Sequence, residues 1–351
     1  MMEFNELIQT IQPLDENAMA QAQARQNRLT KPPGSLGRLE SLSIQVAGIT
    51  GQMPPQASQK VVFVMAGDHG VTEEGVSAYP SEVTAQMVLN FLRGGAAINV
   101  LARHVGAKVV VVDMGVKGTL EVQPNLISAK IAPGTQNMTK EPAMSREQAL
   151  LAIQRGAELA EAEIRAGAQM LATGDMGIGN TTPSAAIAAV LSGKPPAVCV
   201  GRGTGVDESG LERKISAVER ALALNQPNPE DGLDVLAKVG GFEIGGLVGV
   251  ILAGAAHRRP VVVDGFISTA AAMVAVRLAP LARHYLIASH RSKEQGHTLM
   301  LDWLGLEPVF DLEMRLGEGT GAALAMTVVE AACKILAEMA TFDEAGVSEK
   351  I

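Results

Sequence analysis

Aromatic residues and cysteines are scarce in this sequence. Aromatic residues make up 3% of the 351 residues, and Cys199 and Cys333 are the only cysteines. The apolar context of Cys199 is typical of a strand and that of Cys333 of a helix, so both predict buried free thiols in a cytosolic chain. The two cysteines and six scattered histidines have no zinc-ligand spacing, and no metal site is expected.

Positive charge is also limited. The formal net charge is −8, and no cluster of lysine and arginine occurs along the chain. An acidic chain without a basic patch is a poor candidate for binding nucleic acid, because the phosphate backbone has to be neutralised by lysine and arginine. Any small anionic ligand must therefore be held locally, by loops and a few cations.

No apolar run is long enough to cross a membrane. The longest, residues 244–256, has 13 residues of which four are glycine, and it predicts a buried helix instead of a span. The N-terminal segment is amphipathic and acidic, without the basic start and apolar stretch of a secretory signal. We therefore expect a cytoplasmic protein without a membrane span.

Strand, loop and helix patterns alternate through the rest of the chain. A continuous apolar run at residues 61–66 predicts a buried parallel strand. Further strands are predicted at residues 109–112, 170–173, 260–265, 285–290 and 308–311. Helices are predicted at residues 38–51, 83–92, 145–166, 208–224, 240–256, 268–278 and 321–340, with another starting near Pro183. This alternation predicts an α/β fold, a parallel sheet with helices on both faces.

The chain ends are predicted to form a smaller helical domain beside this sheet. We place its N-terminal part at residues 1–60, the sheet domain at 61–310, and the rest of the small domain at 311–351. Ligands of parallel sheets bind at the carboxyl ends of the strands, where the glycine-rich loops of this sequence collect.

The loop at residues 174–182 reads GDMGIGNTT. Glycines let backbone N–H groups approach an anion, and a following helix favours negative charge at its N-terminus, so this loop predicts a phosphate site. The alternative is a tight strand-to-helix turn with a helix cap. The loop lacks the lysine of a Walker sequence.

A second loop, GRGTG at residues 201–205, precedes a helix that carries Lys214. Arg202 and Lys214 are scarce cations beside glycines, and either can neutralise a phosphate. The sequence leaves open which of them does so, and both could instead be solvated. The dinucleotide fingerprint GxGxxG is not met, because the third glycine comes too early.

A third loop places Glu318 between two glycines just before a helix. Glu318 could simply complement the helix dipole, as could Asp311 or Glu313. The flanking glycines leave Glu318 free to project into a cleft, and we therefore predict that it is a general base. In a fourth loop, AGDHGV at 66–71, adjacent Asp68 and His69 point in different directions, which predicts no relay between them.

Together these loops resemble the family of nicotinate-nucleotide:dimethylbenzimidazole phosphoribosyltransferases. The matching segments are KPPGSLGRLE (31–40), AGDHGV (66–71), GDMGIGNTT (174–182), GRGTGVDESGLERK (201–214) and RLGEGTGAALA (315–325). Five motifs in the same order along essentially the whole chain are far more specific than one glycine loop. The resemblance implies a Rossmann-like sheet, a homodimer, and transfer of phosphoribose from nicotinate mononucleotide to 5,6-dimethylbenzimidazole without a cofactor.

The resemblance also implies roles for single residues. Glu318 would be the general base. The predicted phosphate and nucleotide site consists of Asp175, Gly177, Gly179, Asn180, Thr181, Arg202, Gly203, Lys214 and Gly319. A flat apolar base needs aliphatic walls, and its predicted pocket consists of Tyr79, Pro80, Ser81, Gln86, Met87 and Leu316. Asp175 stands where the family often has glutamate, so its reach is shorter by one methylene.

Two other functions have to be weighed. A nucleotide-dependent oxidoreductase would need the GxGxxG loop and acidic residue of the first strand, which are absent. A non-catalytic binder of benzimidazole-like bases would not need Glu318 and Lys214. The selectivity among benzimidazole and purine acceptors is left open by the sequence.

Overall fold

The structure, a computed structural model, describes residues 3–118, 120, 123–203 and 205–348. Its six strands are β1 (Lys60–Gly67), β2 (Ala107–Gly115), β3 (Leu126–Ser128), β4 (Met170–Met176), β5 (Val261–Val263) and β6 (Leu286–Ala288). They form one sheet in the order β3-β2-β1-β4-β5-β6, and every neighbouring pair is parallel. The predicted α/β fold with a parallel sheet is confirmed.

Helices connect the strands and cover both faces of the sheet. The α-helices in the described residues are α1 (Phe4–Thr10), α2 (Glu16–Arg28), α3 (Arg38–Thr50), α4 (Glu82–Arg93), α5 (Ala97–Val105), α6 (Arg146–Arg165), α7 (Thr181–Ser192), α8 (Pro196–Cys199), α9 (Glu208–Asn225), α10 (Gly232–Val239), α11 (Phe242–Ala256), α12 (Phe266–Leu278), α13 (His297–Leu304), α14 (Thr320–Glu338) and α15 (Phe342–Ala345). Two short 3₁₀-helices lie at Gly70–Glu74 and Pro280–Tyr285. The predicted helices are present, with ends shifted by a few residues.

The central strand β1 supplies the core of both layers. Successive side chains of a strand point to opposite faces, so its unbroken apolar sequence fills both sides of the sheet. Val61, Phe63 and Met65 pack into one apolar cluster, with residues of α6, α11 and α12. Val62 and Val64 pack into the other, with residues of α3, α5 and α14.

Helix α11 confirms the prediction of a buried helix, since all its residues are buried. Its glycines allow the backbone of α6 to come unusually close. A Cβ placed on Gly156 of α6 would lie 1.9 Å from the carbonyl oxygen of Gly246. Only a residue without a side chain fits there, and this close contact fixes α11 against α6.

Two local predictions are wrong. Residues 308–311 do not form a strand, because Phe310 makes only an isolated parallel bridge with His290, and Pro308 has no N–H for a ladder. Cys199 lies in the short helix α8, not in a strand, since the chain begins that helix with Pro196 at a position that favours proline. Both cysteines are nevertheless buried and free, as predicted.

The two ends of the chain meet beside the sheet. The Arg25 guanidinium of α2 donates to the carbonyl of Leu336 at 2.7 Å, and the N–H of Thr30 donates to the carbonyl of Ala340 at 3.0 Å. Helix α3 packs against both α2 and α14, with Leu42 and Val46 in the core. These contacts bring together the segments expected to form the small domain.

Helix α14 is the one described helix that is long and apolar enough, by length and composition, to cross a membrane. More than half of this apolar stretch is buried inside the protein. Its side chains Met326 and Val329 belong to the core cluster beneath the sheet. In the structure it is a core helix.

Candidate active site

A cavity of about 520 Å³ lies at the carboxyl ends of β4, β5 and β6. The strand order reverses between β1 and β4, and ligand sites of parallel sheets form at such a reversal. Of the sequence-predicted site residues, the structure brings the following to the wall of this cavity: Tyr79, Met87, Asp175, Gly177, Asn180, Thr181, Gly203, Leu316 and Glu318. Residues from four separate loops are thus gathered in one place.

The other predicted site residues do not line the cavity. Gly179 lies against the Thr72 side chain, and Gly319 donates its N–H to the Asp264 carboxylate at 3.1 Å. Arg202 is exposed and pairs with Glu208 at the surface. The remaining members, Pro80, Ser81, Gln86 and Lys214, stand beside or behind the lining.

Glu318 is held at the cavity wall by the contacts of the residues that follow it. It has a φ of 61°, a left-handed conformation that is uncommon for a residue with a side chain. Asp264, directly after β5, accepts the N–H groups of Gly319 and Ala322 at 3.1 and 2.9 Å. This buried carboxylate therefore fixes the start of α14 and, with it, the Glu318 backbone.

The two carboxylate oxygens of Glu318 have different surroundings. Oε2 accepts the N–H of Ile98, in the first turn of α5, at 3.1 Å. No hydrogen bond of Oε1 is found among the described residues. Burial and the nearby charge of Asp264 raise the pKa of Glu318, whereas the Ile98 N–H lowers it. The net result is a pKa above the usual carboxyl value. The upward shift makes this carboxylate a better proton acceptor than a solvated glutamate.

Asp175 is a second buried acid in the cavity wall. Its Oδ2 accepts the side-chain N–H of Asn180 at 2.9 Å, while its buried Oδ1 has no partner among the described residues. Burial raises the pKa of Asp175 well above its usual value, and the nearby charge of Asp264 raises it further. Burial thus shifts the equilibrium of this carboxyl toward its neutral form, which can donate one hydrogen bond.

Lys214, Thr181 and Gly203 form a group that can act as a cradle for an anion. The Lys214 ammonium is almost completely buried and donates to the Thr181 hydroxyl at 2.8 Å. Gly203, with a φ of 54°, lies against this ammonium, because a Cβ placed there would be 2.9 Å from Nζ. Burial lowers the pKa of Lys214 to about 8, with the charge of Glu294 opposing this shift. Lys214 therefore lies directly behind the cavity residues Thr181 and Gly203, whereas Arg202 pairs with Glu208 at the surface.

Two residues outside the predicted set, Arg315 and Glu294, contact Gly203 of this cradle. Arg315 lines the cavity and donates to the Gly203 carbonyl at 3.3 Å, which leaves other guanidinium hydrogens for a ligand. Glu294 also lines the cavity, and its Oε2 accepts the Gly203 N–H at 3.3 Å. Arg315 begins the quoted motif RLGEGTGAALA and could have been found there.

Another part of the cavity wall is apolar. Tyr79 and Leu316 are exposed at the mouth of the cavity, while Val83 and Met87 line it from α4. Val83 was not predicted, although residues four apart share one face of a helix. Gln86 is exposed, because one residue along a helix corresponds to a rotation of about 100° away from Met87.

His290 and Ser292 were also missed. Both follow β6 and line the cavity, together with Gly265 after β5. The rule that placed the other loops, that ligands bind at the carboxyl ends of strands, applies equally to these two strands. Neither residue lies in one of the glycine-rich motifs of the sequence.

Among the described parts of the chain, no group of three or more His, Cys, Asp or Glu side chains could hold a metal ion. The three buried acids of the site, Asp175, Asp264 and Glu318, are instead bound by N–H groups of the protein. Backbone N–H groups and the Lys214 ammonium can donate hydrogen bonds to an anion. The carboxyl groups can bind a neutral base.

Known proteins resemble this chain over its whole length. A family model described as a phosphoribosyltransferase matches residues 11–347. A protein of Roseiflexus sp. (strain RS-1), named nicotinate-nucleotide–dimethylbenzimidazole phosphoribosyltransferase, is 63% identical over 348 residues, which cover 99% of this chain and 99% of that protein. A protein of the same name from Geobacter sulfurreducens (strain ATCC 51573 / DSM 12127 / PCA) is 57% identical over 346 residues, 99% of this chain and 98% of that one.

A solved structure resembles the fold equally closely. The crystal structure of an enzyme of this name from Thermus thermophilus superposes with a TM-score of 0.91 at 49% identity. The match covers 96% of this chain and 100% of that chain. The likeness therefore extends over sequence and fold together.

Proposed function

The chain belongs to the family of nicotinate-nucleotide:dimethylbenzimidazole phosphoribosyltransferases, and we propose that it moves the 5-phosphoribosyl group of nicotinate mononucleotide to 5,6-dimethylbenzimidazole. The products are α-ribazole 5′-phosphate, the nucleotide of a cobalamin lower ligand, and nicotinate. The chain is thus a pentosyltransferase.

One observation carries this proposal. A buried carboxylate with a raised pKa, Glu318, lines a cavity that also has an apolar wall, and a buried ammonium, Lys214, lies directly behind the part of the wall formed by Thr181 and Gly203. The apolar wall fits a flat aromatic base, and the cradle around Lys214 fits a phosphate. The carbon that is transferred would lie between them.

The chemistry needs one proton acceptor. Nicotinate leaves from a quaternary pyridinium nitrogen, so the bond to the anomeric carbon breaks without protonation of the leaving group. The lone-pair nitrogen of the benzimidazole forms the new bond, and its N–H then carries a proton to be lost. Glu318 Oε1 takes this proton, while Ile98 keeps Oε2 in place. Direct displacement inverts the anomeric carbon and gives an α-riboside.

The nucleotide site extends along the loop after β4. Lys214, Arg315 and N–H groups of the loop around Gly177 would hold the phosphate. In its neutral form, Asp175 would donate a hydrogen bond to the nucleotide. Its carboxyl reaches one methylene less far than the family's common glutamate, so this contact is longer or bridged by water.

Release of nicotinate tests the proposed activity. With nicotinate mononucleotide alone, nicotinate should form slowly. Addition of dimethylbenzimidazole should raise the rate strongly, with one nicotinate released per base consumed. Nicotinate release that does not depend on the base would identify a hydrolase, and hydride-linked absorbance changes with NAD would favour the oxidoreductase.

Met87→Ala tests the base pocket. Removing this apolar wall should raise KM for dimethylbenzimidazole about tenfold, since burial of a methionine side chain is worth ~1.5–3 kcal/mol and this one is only partly buried. KM for the mononucleotide should stay the same. Gln86→Ala, one residue earlier on the exposed side of α4, is the matched control. Equal effects of both variants on the base would place the pocket elsewhere.

Chelation tests the role of metal. A pyrophosphate leaving group usually needs Mg²⁺, whereas nicotinate does not, so the rate in excess EDTA should equal the rate without it. The comparison needs enzyme dialysed against chelator, assayed with and without added Mg²⁺. A rate that falls in EDTA and returns only with Mg²⁺ would contradict the mechanism above.

The oligomeric state, the domains and the cellular location of the chain are also proposals. The family resemblance suggests a homodimer in the cytoplasm, and light scattering at assay concentration measures the first of these. We further propose that residues 1–60 and 311–351 form one helical unit beside the sheet domain of 61–310. The hydrogen bonds from Arg25 and Thr30 to the C-terminal segment support that unit.

A further inference from the structure

His290 lines the cavity, yet the transfer described above gives it no task. Its side chain is almost fully buried, with 1% of the residue surface exposed. Its Nε2 has no hydrogen-bond partner among the residues that the structure describes. Buried ring nitrogens without a partner are rare in native proteins, and one in a cavity wall indicates a polar atom of a ligand.

The surroundings of His290 determine which nitrogen carries the hydrogen. The Ser289 hydroxyl donates to the Asp264 carbonyl at 3.1 Å and lies 2.9 Å from Nδ1 of His290. Because the hydroxyl hydrogen is already used, this oxygen accepts the hydrogen of Nδ1. The Asp264 carboxylate, 3.9 Å from Nδ1, favours the same arrangement. In the neutral ring, Nε2 therefore presents a lone pair, which needs a hydrogen donor.

The contacts of neighbouring residues relate this lone pair to the proposed phosphate site. A Cβ placed on Gly265, which lines the cavity, would be 3.7 Å from Nε2. Ser292, two residues further on, accepts the N–H of Glu294 at 3.3 Å. Glu294 in turn accepts the Gly203 N–H of the anion cradle. A short series of contacts thus links His290 to the proposed phosphate site.

We propose that Nε2 of His290 accepts a hydrogen bond from a ribose hydroxyl of the donor nucleotide, at C2′ or C3′, and so selects ribose over deoxyribose donors. This inference rests on the proposed function, in which ribose spans from the phosphate at Gly203 to the carbon beside Glu318. Phosphate and the nicotinate carboxylate are acceptors at neutral pH, so the hydroxyls are the hydrogen donors of this nucleotide. The base N–H is the donor assigned to Glu318.

The test compares ribose with deoxyribose donors in the wild type and in two variants. The donors are nicotinate mononucleotide and its 2′-deoxy and 3′-deoxy forms. His290→Asn retains an amide near Nδ1, which can still bond Ser289, and removes the acceptor at Nε2. His290→Gln can place an amide oxygen near Nε2. Loss of a hydroxyl also alters the reactivity of the anomeric carbon, but equally in all enzymes, so the ratio between enzymes isolates the contact.

For one of the deoxy donors, the fall in kcat/KM should be about tenfold larger in the wild type than in His290→Asn. His290→Gln should retain part of the discrimination between ribose and deoxyribose donors. If His290 had only a structural role, this partial rescue would not be expected. For each deoxy donor, the ratio of its kcat/KM to that of the parent nucleotide can be compared between enzymes. If this ratio is the same in the wild type and in His290→Asn for both deoxy donors, the inference is overturned. If the melting curve shows that His290→Asn is unfolded, His290→Leu replaces it. Failure of the proposed function is distinct, because the wild type would then not use the parent nucleotide at all.

Discussion

Glu318→Gln should lower kcat by about 10²–10⁴, the usual contribution of general-base catalysis, with little change in either KM. The amide has the shape of the carboxylate, and its oxygen can still accept the Ile98 N–H that holds Oε2. The fold and both binding sites should therefore persist, while the proton of the base has no acceptor. Steady-state rates with both substrates varied, together with melting curves, measure these effects.

The pH profile of kcat separates proton transfer from other roles of Glu318. The wild-type rate should fall as the pH drops through the pKa of this carboxyl, which burial raises from its usual range. This acidic limb should vanish in the glutamine variant. Glu313→Gln is the control, because Glu313 lies in the same loop with a similar φ of 58° but pairs with Lys293 at the surface. An unchanged rate of Glu318→Gln at all pH values would remove Glu318 from the mechanism, and Asp175 would be the next carboxyl to substitute.

Removal of the donor phosphate should have the second large effect. For the wild type, nicotinate riboside should be a donor about 10³-fold poorer in kcat/KM than the mononucleotide, because several charge-assisted hydrogen bonds of ~1.5–3 kcal/mol each are lost. Lys214→Ala should lower kcat/KM for the mononucleotide by about 10- to 100-fold, through one such bond. It should not affect the riboside, which has no phosphate to bind.

The charge of Lys214 gives this prediction a pH signature. Burial lowers its pKa to about 8, so its ammonium is present at neutral pH and is lost as the pH rises through that value in the free enzyme. The kcat/KM for the mononucleotide should fall on this alkaline side, and that for the riboside should not. Arg202→Ala, in the adjacent loop but paired with Glu208, should behave as the wild type. A larger effect of Arg202→Ala than of Lys214→Ala would reverse the assignment of the phosphate cation.

The fold could be predicted well because its signals are local. The apolar sequence of residues 61–66 fills both sides of a sheet, and the capping box at Ser145 and Gln148 marks a helix start that the structure contains. Residues 308–311 have the same local signal but only one bridge to the sheet, at Phe310. Strand pairing is decided by tertiary contacts, which a short apolar run does not reveal.

The site could be predicted only where its residues lie in recognisable loops. Glu318 and Gly203 stand in glycine-rich loops, and the structure places them at one cavity. Asp264 carries no such pattern, although its carboxylate fixes the Glu318 loop from another strand. The choice between Arg202 and Lys214 likewise depends on the direction of side chains on a folded helix, which loop composition does not contain.

The configuration of the product tests the central claim most directly. After incubation of the enzyme with nicotinate mononucleotide and dimethylbenzimidazole, the phosphoribosylated base is isolated by chromatography, and NMR assigns its anomeric carbon. Direct displacement in one cavity, with Glu318 as the base, predicts the α anomer alone, with one nicotinate formed per molecule. A β product, or release of ribose 5-phosphate in place of a riboside, would contradict this account.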